Sequence, residues 1–342
     1  MAETLEARAW RAAVAPYIGP RISASLFQLT TTSSLFVIAL VLMYQSVMLD
    51  SAWAPLLAAM VGLPAAGLLV RLFIIMHDCA HGSFFPSRRA MDALGYFLGV
   101  LTFTPYGQWR RDHALHHASS GDLDERGHGD VPTLTVREYL SRSPRQRLAY
   151  RLVRHPLTLL LVGPLHLLLG QRWRSRSKAT GGKQLSSVHW TNAGIIALGA
   201  AAWWLWGWQA LFLVYLPVYY VAAMTGVWLF YVQHQFEDAY WESHDQWDYA
   251  TAAVHGSSHL RLHPVLQWFT GNIGLHHVHH LAPRIPNYQL QRCHDETPLL
   301  HVAPVVTLKS GVSALRLALW DEDRRRLVPF SEVDVTSSEG AS

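Results

Sequence analysis

The sequence is poor in charged residues. Only 15% of its 342 residues are Asp, Glu, Lys or Arg, against about 25% in an ordinary soluble protein. Half of the residues are hydrophobic, and 14 are Trp. This composition argues against a soluble domain and indicates a membrane protein. The net charge of +4 is small, and we expect no nucleic-acid partner.

Cysteine is nearly absent as well. Cys79 and Cys293 are the two cysteines and lie far apart in the sequence, so no disulfide framework is expected. We expect two free thiols on the cytosolic side of the membrane. The first 20 residues lack the basic and apolar regions of a cleaved signal peptide. Insertion is therefore expected to depend on the membrane-spanning segments themselves.

Long hydrophobic runs are what the sequence does contain. A helix that crosses a bilayer needs about 20 apolar residues, and four stretches reach or approach that length. These stretches are Leu26–Leu49, Ala52–Met76, Thr191–Trp208 and Gln209–Val232. Short joints link the first to the second and the third to the fourth, which predicts two helical hairpins. Two shorter stretches, Ala93–Thr104 and Leu157–Leu169, are predicted to lie in the membrane interface.

The positive charges are distributed unevenly around these stretches. Three Lys and Arg residues precede the first span, seventeen lie between Arg71 and Lys183, eight follow Val232, and the two hairpin corners have none. Because cytosolic loops carry the excess of Lys and Arg, we expect both termini and the long central loop in the cytosol.

The predicted fold class is therefore all-α and integral to the inner (cell) membrane. It has four transmembrane helices in two hairpins and a cytosolic helical cap. A single domain is expected over residues 1–342, with a core at about 26–300 and a disordered tail at 331–342.

The 20 histidines include three tight groups. Residues three and four apart share one face of a helix, so the imidazoles of each group can point to one place. The groups are His77 with His81, His113 with His116 and His117, and His276 with His279 and His280. All lie on the predicted cytosolic side and can meet just above the bilayer. Buried neutral imidazoles need partners, and a metal that takes their lone pairs would provide them.

A ninth candidate, His234, follows the fourth predicted span as His77 follows the second. His277 lies off the shared face of its group and is a candidate for the surroundings of the metal. The remaining histidines show no paired spacing and are predicted to be surface or packing residues. They are His128, His155, His166, His189, His244, His255, His259, His263, His294 and His301.

Eight or nine imidazoles are more than one metal ion accepts. Zinc takes about four ligands, so two ions with four or five histidines each fit the number. Imidazole binds Zn, Cu, Fe and Ni, and the count alone does not choose among them. Histidine ligands commonly donate their second N–H to a carboxylate. Six acids lie near enough in sequence for that role: Asp78, Asp112, Asp122, Asp124, Glu237 and Asp238.

The segments 77–85, 113–117 and 276–280 resemble the three histidine boxes of the membrane fatty acid desaturases. Four further segments, 230–237, 256–258, 266–274 and 284–288, are similar to regions of the same family. The resemblance covers roughly residues 70–300. It is nearest to the bacterial and plastid acyl-lipid enzymes of the Δ12 (ω-6) and Δ5 type.

This resemblance implies a di-iron centre that uses O2 to introduce a cis double bond into an acyl chain. The expected substrate is a lipid-linked acyl chain that lies in an apolar tunnel beneath the irons. Nine histidines would be both the metal ligands and the catalytic residues: His77, His81, His113, His116, His117, His234, His276, His279 and His280. No cytochrome b5-like segment is recognised, so electrons are expected from a separate donor of the ferredoxin or cytochrome b5 type.

A basic cytosolic face would suit an acidic electron donor. Its members are Arg88, Arg89, Arg110, Arg111, Arg142, Arg145 and Arg147.

Three alternatives compete with desaturation. A lipid or alkane hydroxylase, or a carotenoid ketolase, would share the fold and the ligands and differ only in the product. A metal transporter would place ionisable ligands within the membrane, but the predicted cores of the four spans contain no His, Asp or Glu. A zinc hydrolase would need about three ligands and a general base, which the histidine count exceeds.

Overall fold

Helices make up most of the structure, a computed structural model that describes residues 5–127, 131–170 and 182–333. Over these residues the helices are, in chain order, α1 (Leu5–Val14), α2 (Ile22–Val47), α3 (Ala54–His81), α4 (Arg88–Leu101), α5 (Tyr106–Ser119), α6 (Val136–Leu140), α7 (Pro144–Val153), α8 (Gly163–Leu165), α9 (Gly182–Gln209), α10 (Leu216–His234), α11 (Tyr249–His255), α12 (Pro264–Phe269), α13 (His276–Leu281), α14 (Asn287–Glu296) and α15 (Leu308–Ala314).

Three helical runs are long and apolar enough to cross a membrane. They are α2, α3 and the continuous run Ser186–His234, which comprises most of α9 and all of α10. This run has 49 residues and as one straight helix would be about 74 Å long, more than twice the thickness of a hydrocarbon core. The protein is therefore a membrane protein, and this run must be bent or divided.

The division lies at Gly207. Its φ of 76° and ψ of −178° are not helical, a conformation that glycine adopts at little cost. The rings of Trp203 and Phe212, on either side of it, have centroids only 6.4 Å apart. Nine residues of straight helix would separate them by about 14 Å, so the chain reverses here, where the sequence predicted a hairpin corner.

A second bent segment packs along α10. Helix α7 and the stretch Thr158–Gly170 meet at 60°, and the stretch consists of α8 between two π-helical turns, Thr158–Val162 and His166–Gly170. The hydroxyl of Tyr220 on α10 donates to the carbonyl of Leu161 (2.9 Å). The stretch predicted to lie in the interface thus contacts α10 in the first third of that helix.

The described residues also form five short strands, which the all-α prediction missed. They are β1 (Leu134–Thr135), β2 (His259–Arg261), β3 (Val305–Thr307), β4 (Leu317–Asp321) and β5 (Arg326–Pro329). Strand β4 pairs with β1 in parallel and with β5 antiparallel, and β2 pairs with β3 in parallel. All-α is thus wrong in detail, although helices dominate.

The predicted start of the disordered tail also needs correction. Ser331 and Glu332 lie in a 3-10 turn, Phe330–Glu332, that follows β5. The rest of the predicted tail, residues 334–342, lies outside the described residues.

Three apolar cores lie among the described residues. The largest joins α2, α3 and α10, with residues such as Phe36, Leu72 and Val218 buried between them. The second joins α1, α11, α13 and α14, and Trp10 on α1 is only 3% exposed there. Helix α1 therefore belongs to the packed structure that supports the third histidine group. The third is small and joins the short helices α6 and α7 to strands β4 and β5.

Candidate metal centre

The first histidine group lies on the last turn of a membrane helix. Helix α3 continues beyond the predicted end of the span at Met76 and includes His77 and His81. Gly82 ends it in the left-handed conformation (φ 75°), the usual glycine stop of a helix. The helix thus carries both imidazoles beyond its apolar part without a flexible joint.

The second and third groups lie on two shorter helices. His113, His116 and His117 are on α5, and α13 begins at His276 and contains the whole third group. Helix α13 is only six residues long, and every one of its residues is buried. The predicted helical placement of both groups is confirmed.

The nine predicted residues come together as two groups. The five-histidine group is His77, His81, His113, His117 and His279. The four-histidine group is His116, His234, His276 and His280. In each, one ring nitrogen per residue lies within 4.8 Å of the corresponding nitrogens of all the others. Each group takes residues from at least three helices, so neither exists until the fold is complete.

Within the groups the Nε2 atoms face one another at short range. The Nε2 of His279 lies 3.0 Å from those of both His77 and His117, and the Nε2 of His117 lies 3.1 Å from that of His113. In the other group, the Nε2 of His234 lies 3.1 Å from that of His116 and 2.9 Å from that of His276.

These distances match the requirements of a metal centre. With metal–nitrogen distances of about 2.1 Å, neighbouring ligands of an octahedron are about 3.0 Å apart and those of a tetrahedron about 3.4 Å. One neutral imidazole has one N–H and one lone pair, so a chain of facing Nε2 atoms cannot satisfy itself by hydrogen bonds alone. The residues present therefore fit metal ions.

The protonation of the groups agrees with that fit. Burial lowers the pKa of His113, His117, His276, His279 and His280 well below the ordinary value, and the neighbouring histidines lower it further. The rings are therefore neutral at physiological pH, the form that binds metals. Four ring nitrogens in these groups are buried without a hydrogen-bond partner among the described residues: His81 Nε2, His117 Nδ1, His276 Nδ1 and His280 Nε2.

One of the six candidate acids meets a box histidine. Asp78 is 2% exposed, and its Oδ1 lies 3.3 Å from His77 Nδ1. Its Oδ2 accepts hydrogen bonds from the backbone N–H (2.8 Å) and the side-chain amide (2.7 Å) of Asn287. Asn287 in turn bonds to Gln28 on α2. The other side of His77 is thus held by a buried polar network that reaches a second membrane helix.

Two other acids of that set serve different partners. Asp122 accepts from His244 Nδ1 (2.6 Å), and Glu237 binds Arg326 (2.8 Å). Neither forms a hydrogen bond with a described histidine of the two groups, so neither is the predicted partner of a histidine ligand.

Polar groups from two other parts of the chain contact the Nδ1 side of the His234 ring. Its Nδ1 lies 3.3 Å from the carbonyl of Gly256 and 3.5 Å from Ser120 Oγ. A ring that donates through Nδ1 presents the lone pair of Nε2 to the centre of the four-histidine group. Gly256 lies in one of the segments that carried the family resemblance.

The histidines predicted to lie outside the centre do so wherever they are described. His277 points away from both groups, and its Nε2 lies 3.2 Å from His294 Nδ1. His259 packs against His294, with ring centroids 4.6 Å apart, and His255 against Trp10. His128 lies outside the described residues.

An apolar cavity lies beside the five-histidine group. It is partly open to the surface and lies between residues of α3 and α10 such as Leu69 and Gly226. Trp109 lines it and stacks on the His113 ring, with centroids 4.4 Å apart and an interplanar angle of 18°. At another part of its wall, the rings of Phe103 and Tyr219 pack together, with centroids 4.1 Å apart. Only the Trp109 ring would therefore separate an apolar molecule in the cavity from His113.

Membrane helices that end in two largely buried histidine clusters able to hold metal ions define a class, the membrane-bound histidine metalloproteins. The fatty acid desaturase family profile matches residues 51–305. A fatty acid desaturase of Bacillus subtilis (strain 168) is 45% identical over 320 residues, which are 94% of this chain and 90% of that protein. The chain belongs to the fatty acid desaturase family and is an oxidoreductase.

More distant relatives include omega-6 and acyl-lipid omega-3 desaturases. The chloroplastic omega-6 fatty acid desaturase of Arabidopsis thaliana is 27% identical over 235 residues, covering 65% of this chain and 49% of that one. The sn-1 acyl-lipid omega-3 desaturase (ferredoxin) of Synechocystis is 27% identical over 227 residues, covering 65% and 62%. These relatives bear out the acyl-lipid resemblance and do not favour the hydroxylase, ketolase, transporter or hydrolase alternatives.

Proposed function

We propose that the nine histidines of the two groups bind two iron ions and that the protein introduces a cis double bond into an acyl chain linked to a membrane lipid. The observation that carries this proposal is the division of the nine residues into sets of five and four with mutually facing nitrogens. Family membership favours iron over the other metals that imidazole accepts.

The reaction balances with O2 as the oxidant. An acyl –CH2–CH2– unit, O2, two electrons and two protons give –CH=CH– and two water molecules. Two irons, when bound, would supply with O2 the oxidising power that an unactivated methylene requires. The chain's own task is to position the methylenes and to keep water from the reacting carbons.

The apolar cavity supports an acyl substrate. Its walls come from α3, α5, α10, the loop after α4 and the stretch Thr158–Gly170, and its polar lining is limited to a few groups such as Thr102 and Tyr219. The Tyr219 hydroxyl is already occupied, since it donates to the carbonyl of Leu101 (2.6 Å). An acyl chain there would lie against the Trp109 ring that stacks on His113. Because the acyl-lipid and oleoyl-lipid relatives are named for lipid-linked chains, a glycerolipid is the proposed form of the substrate.

The proposed topology has four spans, with both termini and the metal centre on the cytosolic side of the cell membrane. The reversal at Gly207 would make two spans of the run Ser186–His234. The hydroxyl of Tyr44, near the end of α2, donates to the carbonyl of Trp206 (3.0 Å), which supports one side for both corners. Neither corner contains Lys or Arg, so this side would be the outer one.

A separate donor would supply the two electrons. The proposed basic face is only partly available for it, because Arg88 and Arg110 both pair with Asp92 (3.2 and 2.7 Å). The exposed Arg142 and Arg145 remain candidates for contact with an acidic donor such as a ferredoxin. Charge reversal at these two positions should lower turnover and weaken its salt dependence. Unchanged turnover with the same salt dependence would remove this face from the proposal.

The decisive experiment is fatty acid analysis after expression in a host with saturated lipids. Gas chromatography should find a new cis-unsaturated species with the wild type and none with His113→Ala. His189→Ala, an exposed histidine on α9, is the matched control and should retain the product. A hydroxylated product, or equal unsaturation with the His113 variant, would contradict the proposal.

A further inference from the structure

Two short helices outside the spans, α12 and α15, leave the same edge of one small sheet. Strand β2 ends at Arg261 and α12 starts at Pro264, while β3 ends at Thr307 and α15 follows at once. Because β2 and β3 are parallel, both helices leave from the edge formed by the strands' carboxyl ends. Neither helix was predicted to be a membrane element, and the proposed chemistry uses neither.

Both helices expose large apolar side chains. On α12, Val265 is 56% exposed, Leu266 42% and Trp268 39%. On α15, Leu308 is 44% and Val312 61% exposed, four residues apart on one helix face. Contiguous exposed apolar patches of this kind mark sites of interaction with another protein or a membrane.

Helix α12 packs deep against a membrane helix. The Phe269 ring fills the space beside Gly67, where a Cβ would lie 2.7 Å from that ring. The Arg71 guanidinium lies 4.3 Å from the centre of the Trp268 ring and donates to the Trp268 carbonyl. Gly67 precedes His77 by ten residues, which is roughly 15 Å along α3. Helix α12 is thus well below the level of the histidines.

Helix α15 packs in the same way beside α10. A Cβ at Gly311 would lie 3.1 Å from the Trp228 ring and 3.4 Å from Val232. These two residues precede His234 by six and two positions, or about 9 and 3 Å along the helix. Both short helices therefore flank the histidine-bearing ends of the membrane helices that support them.

The apolar surface of the spans extends past that level. Thr32 on α2 is level with Arg71, because Arg71 Nε donates to Thr32 Oγ1 (3.2 Å). Nearer the histidine end of α2, Phe27 is 72% and Ile22 53% exposed. These positions are about 8 and 15 Å beyond Thr32. Helix α12 consequently lies within the apolar belt that lipid must cover.

The cations beside the two helices fit the edge of a bilayer. Arg261, at the end of β2, and Lys309, in the first turn of α15, are both exposed, and no described residue forms an ion pair with either. The register of the strands pairs Arg261 with Thr307, two residues before Lys309. Long basic side chains that flank an apolar face extend toward lipid head groups.

We propose that α12 and α15 are two membrane-inserted anchors of the cap, with their apolar faces in the acyl region of the inner leaflet and with Arg261 and Lys309 at anionic phospholipid head groups. The partner of this surface is the bilayer that surrounds the spans. Since α13 begins seven residues after α12 ends, the anchor at α12 holds the segment that leads into the third histidine group at a fixed depth.

Spin-label accessibility in nanodiscs tests this placement on the full chain. Cys79 and Cys293 are buried, so the spin-label reagent should react only with a cysteine introduced at an exposed site. Wild-type protein treated with the same reagent should therefore remain unlabelled. Nitroxides are placed by Val265→Cys and Val312→Cys. Met60 is exposed on α3, and Met60→Cys is the lipid reference. Asp245 is exposed on the loop between α10 and α11, and Asp245→Cys is the water reference.

The expected result is that labels at 265 and 312 resemble the lipid reference. Their ratio of O2 to nickel-chelate accessibility should be several-fold higher than at 245. High accessibility to both reagents would show an aqueous surface, and protection from both would show a covering protein, such as a second copy; either outcome overturns the proposal.

Lipid charge is tested with the same labels. In discs that contain phosphatidylglycerol, the double variant Arg261→Glu, Lys309→Glu should lower the ratio at 312, and in phosphatidylcholine discs it should have a smaller effect. An equal effect in both lipids would overturn the assignment of the anionic head groups. The measurement requires neither bound metal nor product, so its failure is distinct from failure of the proposed desaturation.

Discussion

A neutral imidazole has two nitrogens but only one hydrogen, and this sets the chemistry of the buried histidines. The Nε2 of His279 faces two other Nε2 atoms at 3.0 Å, and one hydrogen cannot serve both contacts. Protonation would relieve the shortage but would place charge among buried rings, which costs several kcal/mol. Cations bound at the centre of each group remove both difficulties, since each nitrogen donates a lone pair to them.

Asp78 is the residue whose replacement should weaken metal binding without removing a ligand. It faces His77 Nδ1 and is fixed by two hydrogen bonds from Asn287. Asp78→Asn removes the charge that orients His77, and such outer partners typically contribute ~10–100-fold in metal affinity. Iron retained per chain during a chelator titration measures the loss.

Asp92→Asn is the control for that variant. Asp92 also binds several groups, among them Arg110 (2.7 Å) and the Tyr106 hydroxyl (3.3 Å), but it forms no hydrogen bond with a described histidine of the two groups. Its replacement should leave iron retention unchanged. Equal loss in both variants would mean that Asp78 acts through general stability only.

The lowered pKa values give the metal-free protein a pH-dependent stability of known sign. His113, His117, His276, His279 and His280 have a folded-state pKa below the ordinary 6.5 because they are buried. Between the lowered pKa and about 6.5 the unfolded chain binds more protons, and stability rises with pH there. The Tm of metal-free protein should therefore be flat above about pH 7 and fall from there toward pH 5.

A variant with one of these groups removed provides the comparison. His279→Gln should lose less Tm over the same pH range than the wild type. A Tm that rises on acidification would contradict the assignment of neutral, buried rings.

At the scale of elements, the sequence could predict those helices whose pattern is local. The spacing of three and four residues placed His113 and His117, and likewise His276 and His280, on one face, and α5 and α13 have these faces toward the centre. His234 was identified from its place after an apolar span. The apolar stretch that predicted the second span ends at Met76, and α3 continues to His81, because apolar length sets where a span ends but not where its hydrogen bonding ends.

Elements that depend on distant partners could not be predicted. Strand β1 has two residues and pairs with β4 more than 180 residues later, so neither has a pattern of its own. Arg154 lies in a basic, apparently exposed segment, but it is 1% exposed and donates to Gln235 Oε1 (2.7 Å) and the Leu317 carbonyl (2.9 Å). The Asn287 contact with Asp78 joins residues 209 positions apart.

The packing of α12 on α3 provides a prediction at this scale. Alanine in place of glycine within a helix is ordinarily favourable by about 1 kcal/mol. At Gly67 the new methyl group would collide with the Phe269 ring, and overpacking costs about 1–3 kcal/mol. Gly67→Ala should therefore lower the Tm in detergent.

Gly199→Ala is the matched control, since no atom of the described residues outside the backbone of α9 lies within 4 Å of a Cβ built at that position. It should leave the Tm unchanged or raise it. If Gly67→Ala is as stable as Gly199→Ala, the contact between α12 and α3 is looser than described.

At the scale of the whole molecule, one arrangement explains the distribution of charge, apolar length and histidine. Helices α3 and α10 both end in histidines of the centre, so both run toward the same side. The chain returns twice through that side, at α5 and at α13, to complete the two groups. Counting Lys and Arg could predict this sidedness because loop charge is a global property, whereas the depth of α12 and α15 follows only from three-dimensional contacts.

The central claim, that two metal ions are held by nine histidines, is tested most directly by metal analysis of purified full-length protein. We expect two irons per chain in the wild type and in His277→Gln, whose side chain points away from both groups. His279→Gln and His276→Gln, one variant for each group, should each bind less. One iron or none in the active wild type, or two irons in both group variants, would contradict the account.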